Sequence, residues 1–157
     1  MIRPSLVRVA LCAAVLCTVL VVPITAASAS DSSIKSALKS YDARILIDEG
    51  HFVTAVGEYK ASKNPSGVQA ALKTCITSFR SLRLKIAAQS AGRPQVKAGK
   101  AKLEMGLQAV MVAYQRLDVA FGEHTFSPEA AKSEVANAGI AIDKARTELA
   151  EGVKLLR

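Results

Sequence analysis

The sequence has no Trp, only 4% of its residues are aromatic, and three Cys are spread over 157 residues. Three is odd and sparse, so a disulfide-stapled scaffold is excluded. Acidic residues are also few: 13 Asp and Glu stand against 21 Lys and Arg, giving a formal charge of +8. No Gly-x-Ser-x-Gly, His-Glu-x-x-His, phosphate-cradling Gly loop or EF-hand loop occurs, so the common catalytic and nucleotide-binding motifs are missing. Ser32-x-x-Lys35 and Ser36-x-x-Lys39 match the spacing of acyl-serine enzymes, but the companion Ser-Asp-Asn and Lys-Thr-Gly motifs do not follow. The chain reads as non-catalytic. What is abundant is apolar residues, at 50%, far above the share in chains that stay disordered.

The opening run, MIRPSLVRVALCAAVLCTVLVVPITAASAS, has the order of an export signal. Arg3 and Arg8 form the positive start. Val9 to Val22 is apolar apart from Thr18. Pro23 breaks any helix, and Ala27-Ser28-Ala29 supplies small residues for cleavage after Ala29. Residues 1–29 are therefore expected to be a signal peptide and residues 30–157 an extracytoplasmic domain, secreted, periplasmic or held at the cell envelope. The alternative is an uncleaved leader, since Val9 to Ala29 is long enough to span a bilayer. Cleavage would remove Cys12 and Cys17 and leave Cys75 as the one thiol.

The remainder shows helical periodicity throughout and no sustained strand alternation. Four stripes advance by alternating steps of three and four. They are Ile34, Leu38, Tyr41, Ile45, Asp48, Phe52, Ala55, Tyr59; Val68, Leu72, Cys75, Phe79, Leu82, Ile86; Val96, Lys100, Leu103, Leu107, Val110, Tyr114, Leu117, Phe121; and Ala131, Val135, Ala138, Ile142, Ala145, Leu149, Gly152, Leu156. Such spacing places each set on one helix face. Capping residues among Asp31, Ser32 and Ser33, then Asn64-Pro65, Gly92 with Pro94, and Ser127-Pro128-Glu129 mark the ends. The expected helices are 33–61, 65–91, 94–122 and 128–156, of matched length. Short turns make neighbours antiparallel, so the fold class is all-α, an up-down-up-down four-helix bundle after the signal peptide.

Charge is segregated along the chain. Lys60 to Leu103 contains ten Lys and Arg and no Asp or Glu. Arg83, Lys85, Arg93, Lys97, Lys100 and Lys102 flank the second turn, and antiparallel helices would bring Lys35, Lys39, Lys154 and Arg157 to the same end. The six around the turn, Arg83 to Lys102, are the candidate contact residues for an anionic lipid or wall polymer. A membrane would be met only at its surface or through an uncleaved leader. Nucleic acid is a poor fit, because Phe79 is the one aromatic in the stretch and belongs to the apolar stripe, leaving no stacking platform.

Asp48 stands out within an apolar stripe, with His51 one turn later. Carboxylate-bridged metal bundles use a related Glu-x-x-His spacing on two helices. Here no second pair exists, and Glu123 with His124 supplies the other candidates for a metal or small-ligand site. The simpler expectation is a buried Asp48 hydrogen-bonded to Tyr114 or Tyr41. Haem attachment lacks Cys-x-x-Cys-His, and Met105 and Met111 read as packing, so no cofactor is expected. A third reading makes the protein a helical adaptor or oligomer subunit, with the Ala-rich last helix as its interface.

Overall fold

The computed structural model describes residues 29–62, 64–123 and 128–156, and the chain over these residues is all-helical, with four helices and no strand. We label them α1 (Ala29–Ser62), α2 (Ser66–Ala87), α3 (Pro94–Glu123) and α4 (Pro128–Leu155). Nearly all of the expected signal peptide, including Cys12 and Cys17, lies outside the described residues, as do His124 and Ser127. No helix among the described residues is long and apolar enough to cross a membrane.

The helices are unequal, at 34, 22, 30 and 28 residues, which corrects the expectation of matched rods. Asp31, Ser32 and Ser33 do not cap α1, because the helix runs back to Ala29. At the start of α2 the Asn64 side chain does accept a bond from the Ser66 N–H at 3.0 Å, and the Pro65 carbonyl takes the Gln69 N–H at 2.9 Å. The far end of α2 stops at Ala87, four residues before the expected 91. Lys100 of α3 explains the early stop. Its ammonium donates to the carbonyls of Ala87 at 2.5 Å and Gln89 at 2.7 Å, satisfying acceptors that a continuing helix would have used. The α3 helix then opens at Pro94, with the Lys97 N–H bonded to the Arg93 carbonyl.

Pairwise contacts fix the directions. Ser40 meets Lys85 and Asp48 meets Ser78, so α1 and α2 are antiparallel. The Gln69 amide reaches the Asp118 carbonyl while Lys100 reaches Ala87, so α2 and α3 are antiparallel. Lys102 meets Glu148 and Glu151 while Arg116 meets Glu134, so α3 and α4 are antiparallel too. α1 also lies on α3 through edge-to-face rings, Phe52 on Tyr114 at 5.8 Å and Tyr59 on Phe121 at 5.2 Å. Burial pushes the Tyr59 hydroxyl above the ordinary tyrosine range, because a phenolate would lose its hydration there.

The core follows the expected stripes closely. All six members of the second stripe are buried, Cys75 among them, and so are Ile34, Leu38, Ile45, Phe52, Leu103, Leu107, Val110, Tyr114, Leu117, Phe121, Ala138, Ile142, Ala145, Leu149 and Leu156. α3 and α4 approach most closely of the successive pairs. The cause is one small residue every seventh position on both helices: Gly99, Gly106, Ala113 and Ala120 on α3, and Ala138, Ala145 and Gly152 on α4. Gly152 faces Gly99, so a Cβ on Gly152 would lie 3.0 Å from the Gly99 carbonyl oxygen. Further along the pair, a Cβ on Gly106 would lie 3.0 Å from the Leu149 backbone nitrogen. The thin stripe of α4 thus packs against α3.

Candidate functional site

Two kinds of candidate were legible in the sequence, the carboxylate on the α1 stripe and the cations around the α2–α3 turn. The carboxylate comes first. Asp48 is 8% exposed, and its partner is neither Tyr114 nor Tyr41. The Ser78 hydroxyl of α2, itself fully buried, donates to Asp48 Oδ2 at 2.5 Å, and Arg44 Nε stands 4.0 Å from the same oxygen. Tyr114 donates instead to Glu49 Oε1 at 3.0 Å, and Glu49 is only 1% exposed. Two consecutive carboxylates of α1 therefore point into the interior, one toward α2 and one toward α3. A charge-assisted hydrogen bond is the usual condition for tolerating such burial.

His51 is exposed. His124 is outside the described residues, and nothing is described of the Glu123 side chain. Among the described residues no group of three or more His, Cys, Asp and Glu side chains gathers in a way that could hold a metal ion. Asp48 and Glu49 tie α1 to α2 and to α3. Glu49 was not legible as a tie, since it sits one position off the stripe and any exposed Glu has the same local sequence.

The cations at the α2–α3 turn divide into two groups. Lys100 is committed to the α2 carbonyls and stands 3.9 Å from Glu104. Lys102 bridges Glu151 at 2.8 Å and Glu148 at 2.9 Å, and these two bonds raise its affinity for the proton well above that of an ordinary lysine. Both residues hold helices together. Lys85 donates to Ser40 at 3.1 Å and its ammonium sits 5.4 Å from the centre of the Tyr41 ring, yet the residue stays exposed. Arg93 and Lys97 are exposed, as are Lys39 of α1 and Lys154 of α4. Arg83 is half-buried and faces the opposite side of α2 from Lys85, toward α3 and α4.

The committed pair could have been suspected from spacing alone. Lys100 occupies a stripe position, and an ammonium on the buried side of a helix must find acceptors. No protein-family model, curated protein or solved structure matches this chain.

Proposed function

We propose that this chain is an exported, non-catalytic antiparallel four-helix bundle of the cell envelope, which rests against an anionic lipid or wall-polymer surface through the end where α2 turns into α3. The carrying observation is the run from Lys60 to Leu103, with ten basic and no acidic residues. Antiparallel packing supports the reading, because it draws the start of α1 and the end of α4 to that same end. Exposure narrows the contact set. Lys85, Arg93 and Lys97 carry the attraction, joined by Lys39 and Lys154, all of them exposed, while Lys100 and Lys102 are half-buried and bonded to neighbouring helices.

Exposed cations near an anionic bilayer each contribute about 1 kcal/mol, within a Debye length of the surface. The purified domain should therefore co-sediment with vesicles containing phosphatidylglycerol, and rising salt should release it. The double variant R93E/K97E should bind at least about ten-fold more weakly, whereas K73E/K132E, with the same change in net charge, should bind much as the parent does. Equal loss in both pairs would mean that net charge alone acts and would remove the proposed contact. The export half of the reading has its own test. The protein should be recovered outside the cytoplasm with Ser30 as its amino terminus; an intact Met1 there would overturn cleavage, and recovery from the cytoplasm alone would overturn export.

A further inference from the structure

The face of α3 turned away from the core has a pattern of its own. Ala98, Ala101, Met105, Gln108, Val112, Gln115 and Val119 recur at alternating steps of three and four, and none is charged. Met105 and Val119 are 46% and 45% exposed. A solvent-facing helix stripe is ordinarily charged, so an uncharged one needs an explanation. This one forms the floor of a groove of about 480 Å³, walled by Arg83 of α2 on one side and by Ala141 and Lys144 of α4 on the other. The size falls within the range of small-molecule sites.

Charge in the groove favours an anion. Arg83 and Lys144 stand on opposite walls, and the acidic lining residue, Glu104, has Lys100 3.9 Å away. Arg83 is only half-buried and lines the groove, so its guanidinium can pair with a carboxylate there. The apolar floor between Ala101 and Val112 runs about 16 Å along the helix, enough for one alkyl chain and too narrow in volume for the two chains of a diacyl lipid. The floor offers few polar partners, so an extended peptide would leave its backbone groups unsatisfied.

We propose that this groove binds one long-chain fatty carboxylate, with the alkyl chain along Ala101, Met105, Ala109 and Val112 and the carboxylate on Arg83 and Lys144. The proposal goes beyond the surface reading and uses neither Arg93 nor Lys97. Calorimetric titration of the purified domain with octanoate, decanoate and laurate, each below its micelle concentration, tests it. One-to-one binding is expected, tightening roughly four-fold for each methylene added. M105E, a change at an exposed position, should abolish the heat, and R83Q should weaken laurate at least ten-fold, with thermal melts reporting that each variant is folded. R93E/K97E should bind laurate as the parent does, even while losing vesicles. Three outcomes would each overturn the assignment: no saturable binding, equal affinity for dodecyltrimethylammonium, or unchanged laurate affinity in folded M105E.

Discussion

Tyr114→Ala should lower the unfolding free energy by about 4 kcal/mol, the largest single loss expected in this protein. The ring is fully buried on α3. Phe52 of α1 meets it edge-on, and Phe79 of α2 lies 5.7 Å away in a tilted arrangement, so one side chain joins three helices. Phe52 and Phe79 are themselves fixed in the packed core, so the cavity that truncation leaves is filled only in part. Tyr114→Phe separates the two parts of the effect. It keeps the ring but removes the donor to Glu49, a carboxylate that is almost wholly buried. The expected cost is about 1–2 kcal/mol. Urea unfolding with an unchanged slope would measure both, and a Tyr114→Phe variant as damaged as Tyr114→Ala would show that the hydroxyl, not the ring, holds the helices.

Glycine replacements should show the second large effect, and its sign should depend on position. A Cβ at Gly152 would lie 2.9 Å from the Leu103 backbone nitrogen and 3.0 Å from the Gly99 carbonyl oxygen. Backbone atoms of a packed helix cannot move aside as a side chain can, so α3 and α4 must separate. Overpacking of this kind costs about 3 kcal/mol, and the better helix propensity of Ala returns about 1 kcal/mol. Gly152→Ala should therefore be destabilising by about 2 kcal/mol. Gly50 and Gly57 sit exposed within α1, and a Cβ at either meets nothing within 4 Å. Gly50→Ala and Gly57→Ala should each add about 0.5–1 kcal/mol. If Gly152→Ala raised the denaturation midpoint as these two do, the close approach of α3 and α4 would be wrong. Gly106→Ala is an intermediate case, since the Leu149 Cγ at 2.6 Å belongs to a side chain that can rotate, though the Leu149 nitrogen at 3.0 Å cannot.

Much of this architecture is local and was open to a reader of residues. Every member of the Val68-to-Ile86 stripe is buried, because a spacing of three and four puts side chains on one face whatever the neighbours are. The Asn64-Pro65 start and the Pro94 start are equally local, resting on one side-chain acceptor and on a ring that fixes its own backbone angle. The candidate site was only partly legible. That Lys60 to Leu103 is uniformly basic is a matter of counting, but which of those cations reach solvent depends on α2 and α4, whose carbonyls and carboxylates take Lys100 and Lys102.

The Asp48 reading shows the same division. Its place on an apolar stripe announced a buried carboxylate. The choice of Ser78 over a tyrosine depended on which face of α2 turns toward α1. Glu49 gave no local sign at all, because its burial comes from α3 passing on that side with Tyr114.

The residues alone thus determined four amphipathic helices, the apolar face of each and the crowding of positive charge around one turn, since periodicity and composition are properties of a single stretch of chain. Tertiary structure decided the rest: that the small stripe of α4 packs on α3, that two lysines are internal fasteners, and that the uncharged outer stripe of α3 becomes the floor of a groove walled by cations of α2 and α4. Those outcomes depend on pairs of helices far apart in the chain, where each face is legible but the choice of its partner is not.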